Sequence, residues 1–439
     1  MRTSTMRTTI FALGLLAVFS CAQDPIFYRI STEPPPQNPL IRGAPTNMVE
    51  FGREYPNPGY DPADLGNTED PTVTVPILYV ASGRLHWYAK TELGTGVSGW
   101  DSKEYLIEQP EGKIIALAAT SKYLYALSLP GHGIDTVLKF IGKDSTSTEW
   151  EEVRFSGDNY PQIQSIYADP IQDRVFAGAR TSIGDRDDYA ILYLDTDDTL
   201  KLLKGETTLL SGAAFDGTSH YLSTTGNGIF QISETDLNSP NFDSASHVSQ
   251  QNDATPSDNK DRMFMGMIKL EDGSTIIAVE RNGGAFYKVN DGSFERLRYG
   301  ENGGWVGTGK YATGALALWE ENWAGNNPNN KLLIAGIQGG LYNTISSSYT
   351  YGYVEFDLKT DGSIDLSESQ SRHDPSSLRS VHDNDRYRST IGKEPINHLF
   401  QAPISIDQNM TFFASTQNSG LWSYRERPNS GGWQWNAEN

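Results

Sequence analysis

ASGRLHWY at 81–88, GNGIFQI at 226–232, NGGAFYKV at 282–289, QGGLYNTI at 338–345 and NSGLWSY at 418–424 are one turn written five times. Each sets a glycine just before an apolar or aromatic pair. Glycine enters φ > 0 without a Cβ penalty, so a tight hairpin is its natural context. The alternation that follows suits a strand with one buried face.

Working outward from that turn, an apolar strand precedes it: RVFAGAR at 174–180, TIIAVER at 275–281, KLLIAGI at 331–337 and TFFASTQ at 411–417, with YLYALSL at 123–129 in the same role. Before these stand strands rich in small residues: IIALAAT at 114–120, IQSIYAD at 163–169, LLSGAAF at 209–215, MFMGMIKL at 263–270, TGALALW at 313–319 and INHLFQAP at 396–403. The aromatic third strand usually runs into Asp, Asn or Gly and then a more polar fourth. Seven such units have approximate limits of 46–109, 110–158, 159–205, 206–250, 260–299, 310–370 and 394–439.

Four short strands per unit, repeated radially, predict an all-β fold, a β-propeller of seven four-stranded blades with the small-residue strands crowded on the axis. Helical periodicity is nearly absent, and apolar pieces such as Ala315–Ala317 sit in strand-sized windows. The chain resembles bacterial seven-bladed propeller proteins over nearly everything after residue 45. Ring closure is left open. The last unit runs through Trp433-Gln434-Trp435, and the first takes its inner strand from Asn47–Phe51.

The start of the chain has a different character. Arg2 and Arg7 precede the apolar run IFALGLLAVF at 10–19, and no acid occurs before Asp24. Ten residues match the apolar core of a signal peptide and fall short of a bilayer span. Val18-Phe19-Ser20-Cys21 follows and resembles a bacterial lipobox of the looser, spirochaete-like kind. The resemblance implies cleavage before Cys21 and acyl (palmitate-type) chains on it. Cys21 is the only cysteine, so no disulfide framework exists and the lone thiol has a role in this reading. Several acyl chains give stable anchoring where one is marginal. The expected organisation is a lipoprotein signal peptide at 1–20, a Pro-rich tether at 21–45 with Pro34-Pro35-Pro36 favouring extended chain, and the propeller at 46–439. The expected place is the cell envelope, lipid-anchored to the outer membrane or cell surface.

The formal charge is −20, and removing Arg2 and Arg7 makes it more negative. This argues against nucleic acid and against an anionic lipid surface as partners beyond the acyl anchor.

In a propeller the between-blade segments and the second-to-third turns share one face. Those segments lengthen late in the chain, at 241–262, at 298–311 (RYGENGGWVGTGKY) and at 363–395. Long loops in a compact domain are more often functional than accidental. A ligand-binding face is therefore expected over blades four to seven. Arg262, Trp305, Tyr311 and His398 are its candidate contacts, Trp305 first because neighbouring glycines would present it.

No catalytic residue, metal or cofactor is assigned. His373-Asp374 and His382-Asp383-Asn384-Asp385 form the only His/Asp cluster, and their spacing matches no metal motif. Asp185, Asp187 and Asp188, like Asp195, Asp197 and Asp198, read as turn chemistry. Serine-hydrolase elbows and phosphate-cradling loops are missing. Asn290-Asp291-Gly292 and Thr360-Asp361-Gly362 read as hairpin turns and not as sialidase-type repeats. Tyr167-Ala168-Asp169-Pro170 with Arg174-Val175-Phe176 is similar to one repeat of the YWTD or NHL propellers. The leading expectation is a non-catalytic envelope lipoprotein whose propeller face binds a protein or glycan, by analogy of fold with the propeller lipoproteins of outer-membrane assembly. The alternative is an extracellular carbohydrate-active propeller enzyme, a glycosidase or lyase. That alternative requires a deep axial pocket with converging carboxylates and basic groups. A flat, aromatic-rich face favours binding.

Overall fold

The computed structural model describes residues 41, 45–63, 69–89, 99–101, 107–131, 136–156, 162–169, 171–183, 186–195, 197–239, 242–253, 262–281, 284–301, 303–307, 315–323, 326–336, 353–367, 372–373, 395–402, 412–417, 420–426 and 433–438. Cys21 with the signal and tether, Gly340 of the fourth quoted turn, Tyr311 and the His382 cluster lie outside the described residues. Contacts divide the chain into Met1–Gln37 and Asn38–Asn439, and the second unit is the one described here.

The described strands form seven sheets, each built on an antiparallel meander of four strands, two of them with a fifth strand added at the outer edge. Blade one contains Met48–Pro56, Thr72–Ala81, Leu85–Ala89 and Gly99–Trp100; blade two contains Lys113–Ala119, Tyr123–Leu129, Val137–Gly142 and Glu151–Glu152. Blade three holds Gln162–Asp169, Arg174–Ile183, Arg186–Leu194 and Thr199–Thr207; blade four holds Leu210–Phe215, Ser219–Thr224, Ile229–Ser233 and Ser249–Gln250. Blade five is Phe264–Lys269, Ile276–Glu280, Phe286–Asn290 and Ser293–Arg296. Blade six is Leu316–Trp323, Asn326–Gly336, Tyr353–Asp357 and Arg372–His373, and blade seven is Ile396–Gln401, Phe412–Thr416, Leu421–Glu426 and Trp433–Ala437. The fold is a β-propeller.

The repeated turn does what its glycine implies. Gly83, Gly228, Gly284 and Gly420 have φ of 74°, 70°, 61° and 78°. An L-residue with a Cβ rarely adopts that conformation. In blades four and seven the same bond pattern closes the turn: the Thr224 amide donates to the Gly228 carbonyl, and Thr416 donates to Gly420.

The small-residue strands lie innermost, as their composition requires. They carry a feature that periodicity did not announce. The pairing register with the second strand slips between Ile114 and Ala116, Ile163 and Ser165, Leu210 and Gly212, Phe264 and Gly266, and Ile396 and His398. The same one-residue bulge thus recurs in five blades at the start of the inner strand. A bulge bends its strand and re-aims one side chain. Of the five residues so displaced, Gln164, Ser211, Met265 and Asn397 line the axial cavity and Ile115 of blade two does not.

Segments read as plain connections also differ from expectation. Arg154–Phe155 pairs in parallel with the outer strand of blade three, and Asn252–Asp253 with that of blade five. At these two points the chain laces the next blade's outer edge before running inward. The polar stretch 241–262 therefore contains strand, together with a short helix at Ser244–His247. His373 sits in the fourth strand of blade six, paired opposite Glu355.

The core is a set of wedges between blades. One joins Phe51, Ile77, Tyr79 and Trp87 of blade one to Ile114, Leu117, Leu124 and Ile141 of blade two. Another joins Met48, Leu78 and Val80 of blade one to Ala402, Phe413 and Leu421 of blade seven, with Ile41. That last wedge closes the ring. Among the described strands none is shared across it: blade seven takes its four from 396–437 and blade one takes its own from 48–100. Side-chain and single backbone bonds make the seam. The Trp100 indole donates to Glu438 Oε2 at 2.7 Å, and the Leu421 amide donates to the Ile41 carbonyl at 3.1 Å.

Candidate functional site: the axial cavity and the loop face

A cavity of about 1040 Å³ lies on the axis, lined by the inner strands of all seven blades. Its wall is mostly uncharged. Gln164, Ser211, Asn397 and Gln401 supply amide and hydroxyl groups, and Met265, Met267, Ala213 and Leu318 supply apolar surface. Polar ties hold neighbouring inner strands in place. Asn47 acts as a surrogate backbone: its Oδ1 accepts from the Leu117 amide at 2.8 Å while its Nδ2 donates to the Leu117 carbonyl. Ser165 Oγ donates to the Leu210 carbonyl at 2.7 Å, linking blades three and four.

Among the described lining residues the ionisable side chains with acid or basic character are Glu50, Lys143 and His398. Burial within the ring raises the Glu50 carboxyl above its usual range. Burial lowers His398 to about 4, so its imidazole is neutral at physiological pH. Its Nδ1 is enclosed and has no hydrogen-bond partner. His398 stands one position after the bulge of blade seven. Glu50 belongs to the adjoining blade one, two residues along its inner strand from Met48, which pairs with the second strand at Val80. The cavity therefore offers single hydrogen-bonding groups, with one carboxylate, in place of a converging acid pair. No group of three or more His, Cys, Asp or Glu among the described residues is arranged to hold a metal ion.

Inner strands begin, and second strands end, at one face of the ring. Arg262, Trp305 and His398 all belong to that face, though in three different settings. Arg262 precedes the inner strand of blade five and turns into the blade. Its Nη1 donates to Glu280 Oε1 at 2.9 Å, and its guanidinium lies 5.1 Å from the Tyr287 ring centre. Its carbonyl accepts the Gly228 amide, tying blade five to the turn of blade four. Arg262 is thus engaged in holding blades together. His398 faces the cavity as described. Tyr311 lies outside the described residues.

Trp305 is the exposed member, with 40% of its surface accessible. The chain leaves the outer strand of blade five, turns after Tyr299 and returns from Gly304. The Tyr299 amide donates to the Gly304 carbonyl at 3.0 Å, and Arg298 and Trp305 bridge across the hairpin. Gly307 bridges to Ala285 beside the second-to-third turn, which places this hairpin on the loop face. Two arginines lie over the indole: Arg296 Cζ is 4.3 Å and Arg298 Cζ 3.7 Å from the ring centre. Cation–π contact of this kind holds each guanidinium against the ring.

Arg296 and Arg298 were not singled out from sequence. Their signal was present in E-R-L-R-Y at 295–299, where a strand period of two places both arginines on one side. Glu50 was also passed over. It is the lone acid in the inner-strand stretch N-M-V-E-F at 47–51.

No protein-family model matches this sequence, and no curated protein matches it. Solved structures with a similar fold include a putative 6-phosphogluconolactonase from Bacteroides uniformis ATCC 8492, at 12% identity and a TM-score of 0.45 over 88% of this chain and 94% of that one. The periplasmic gluconolactonase PpgL of Pseudomonas aeruginosa is similar at 11% identity and a TM-score of 0.46, over 89% of this chain and 97% of that one. The computationally designed Ika8 protein is similar at 10% identity and a TM-score of 0.42, over 88% and 99%. The likeness concerns architecture alone.

Proposed function

We propose that this chain is a membrane-anchored envelope lipoprotein, acylated on Cys21, whose propeller binds a protein or glycan partner through its loop face without transforming it. The observation that supports this reading is the exposed Trp305 with its two arginines, held on a rigid hairpin at the face where the connecting segments gather. Aromatic and arginine side chains on a rigid support are the groups that most often carry binding energy.

The alternative reading, a carbohydrate-active enzyme, needs two carboxylates flanking a scissile bond. Among the described lining of the axial cavity Glu50 is the one carboxylate. That composition weighs toward binding.

Two measurements on the full-length protein test the proposal. Intact-mass spectrometry of membrane-extracted material is expected to give a mature N-terminus at Cys21 with added acyl mass, absent in Cys21→Ser. Cleavage elsewhere without added mass would sink the anchor. The extracted protein is then incubated with neutral and acidic polysaccharides. Retention of unchanged polymer is expected, and shortened or unsaturated fragments would move the assignment to the enzyme.

A further inference from the structure

Arg296 and Arg298 are cations with no ion pair among the described residues, in a chain of formal charge −20. Three other described arginines are paired with an acid, whereas the buried Arg53 is met by the carbonyls of Asp144 and Ser147. Arg84 meets Asp101 at 2.7 Å, Arg174 meets Glu234 at 2.6 Å and Arg262 meets Glu280 at 2.9 Å. Arg296 is half-buried, and its Nε is enclosed with no hydrogen-bond partner. Arg298 is exposed. Their common neighbour is an indole that also remains 40% exposed.

We propose that Arg296, Arg298 and Trp305 form a binding site for a carboxylated sugar, a uronic acid residue within an acidic polysaccharide. This rests on the binding reading given above and names its ligand. The argument is one of matched chemistry. A planar guanidinium fork pairs with a planar carboxylate in two parallel hydrogen bonds. The exposed part of the indole offers apolar surface directly beside that fork, and a pyranose presents C–H groups on its ring face. A uronic acid carries both features on one small unit. A phosphate or sulfate has the charge without the ring, and a neutral sugar has the ring without the charge. The net negative charge of the chain does not forbid the contact. At physiological ionic strength exposed charges beyond about 8 Å are largely screened, so the local pair of cations governs.

The test uses full-length protein in detergent and a defined oligogalacturonate, with its carboxyl-reduced form as control. Wild-type protein is expected to bind the oligogalacturonate, more weakly as salt rises, and not the reduced form. Arg298→Gln is expected to lower affinity about tenfold or more, the loss of one charge-assisted contact. Arg298 is exposed, so this variant has no reason to misfold. Arg296→Gln is expected to act in the same direction, and Arg84→Gln, on blade one, is expected to bind as wild type. The inference is overturned by equal affinity in Arg298→Gln and wild type, by equal binding of the reduced oligosaccharide, or by no binding at all. Should the chain bind a protein or a neutral glycan with no effect of Arg298→Gln, the binding function stands and this site assignment falls. Breakdown of the oligosaccharide by wild type would overturn the non-catalytic reading instead.

Discussion

Glu234 stands where donors from two blades converge. Arg174 of blade three gives it Nε at 2.9 Å and Nη2 at 2.6 Å, His220 of blade four gives Nε2 at 2.7 Å, and Asn238 gives Nδ2 at 2.8 Å. Burial by itself would raise this carboxyl, but the His220 and Arg174 contacts outweigh it and hold the group at about 2. Its folded value thus lies below its ordinary value of 4.5, so it binds protons more weakly folded than unfolded. The stability it contributes is complete above pH 4.5 and is lost as pH falls from there toward 2. Glu234→Gln is expected to cost about 2 kcal/mol at pH 7, toward the low end for a broken ion pair because the site is partly exposed. Urea unfolding of both proteins between pH 7 and pH 3 checks this: the gap should narrow as the solution is acidified, and a constant gap would remove the ionic account. This network was not legible in sequence. Asp169 and Arg174 resemble part of another propeller repeat, but the partner of Arg174 lies sixty residues on and across a blade boundary. Trp305 was legible because flanking glycines mark a displayed residue. Its two arginines were not, since a two-residue spacing gains meaning only once Arg298 is known to bridge back to Trp305 beyond the end of the strand at Arg296.

At the scale of the strand, small residues were read as a sign of crowding at the axis, and the spacing between blades shows why. A Cβ on Gly212 would lie 2.9 Å from the Met267 backbone nitrogen and 2.9 Å from Ser223 Oγ, with Gly266 Cα at 3.1 Å. Blade four thus meets blade five backbone to backbone, and two of the three obstructing atoms are main-chain atoms that cannot swing away. Gly212→Ala is expected to destabilise by about 1–3 kcal/mol, the range for overpacking a filled core. Gly205 provides the contrast. It lies in the outer strand of blade three, where a Cβ would meet nothing within 4 Å. Gly205→Ala is expected to be neutral or slightly stabilising, since it also restricts the unfolded chain. Chemical denaturation of the pair is the check, and equal effects would mean that crowding is not what selects glycine at 212. The turn glycines were readable because positive φ leaves few alternatives to glycine. The inner-strand bulges were not, because an extra residue in an already apolar stretch such as IIALAAT at 114–120 disturbs no alternation that a reader could detect. The bulges matter for the site, since they turn Gln164 and Asn397 toward the cavity.

At the scale of the whole ring, the propeller architecture was legible from the recurrence of one turn, while closure was not, because closure depends on contacts between the two ends of the repeat array. Six junctions between blades are crossed by the chain itself. The seventh, between blade seven and blade one, has no strand in common among the described residues. It is held by the wedge around Met48, Val80, Phe413 and Leu421 and by Glu438, which is buried. Glu438 Oε2 accepts from the Trp100 indole at 2.7 Å, and its Oε1 accepts from Ser423 Oγ. One carboxylate thereby joins the outer strand of blade one to the third strand of blade seven. Proteins open locally where the fewest covalent and cooperative ties must be broken, so this seam is expected to be the lowest-energy opening of the ring. Native-state hydrogen exchange should show the amides of Leu85–Ala89 and Leu421–Glu426 exchanging through a sub-global opening below the global unfolding energy, with blades three and four protected to the global limit. Glu438→Ala leaves the Trp100 N–H without that acceptor and should lower the seam's opening energy by about 1–3 kcal/mol while leaving blades three and four nearly unchanged. Uniform loss of protection around all seven blades would show that the ring unfolds as one unit, and that the seam is as strong as the junctions the chain crosses.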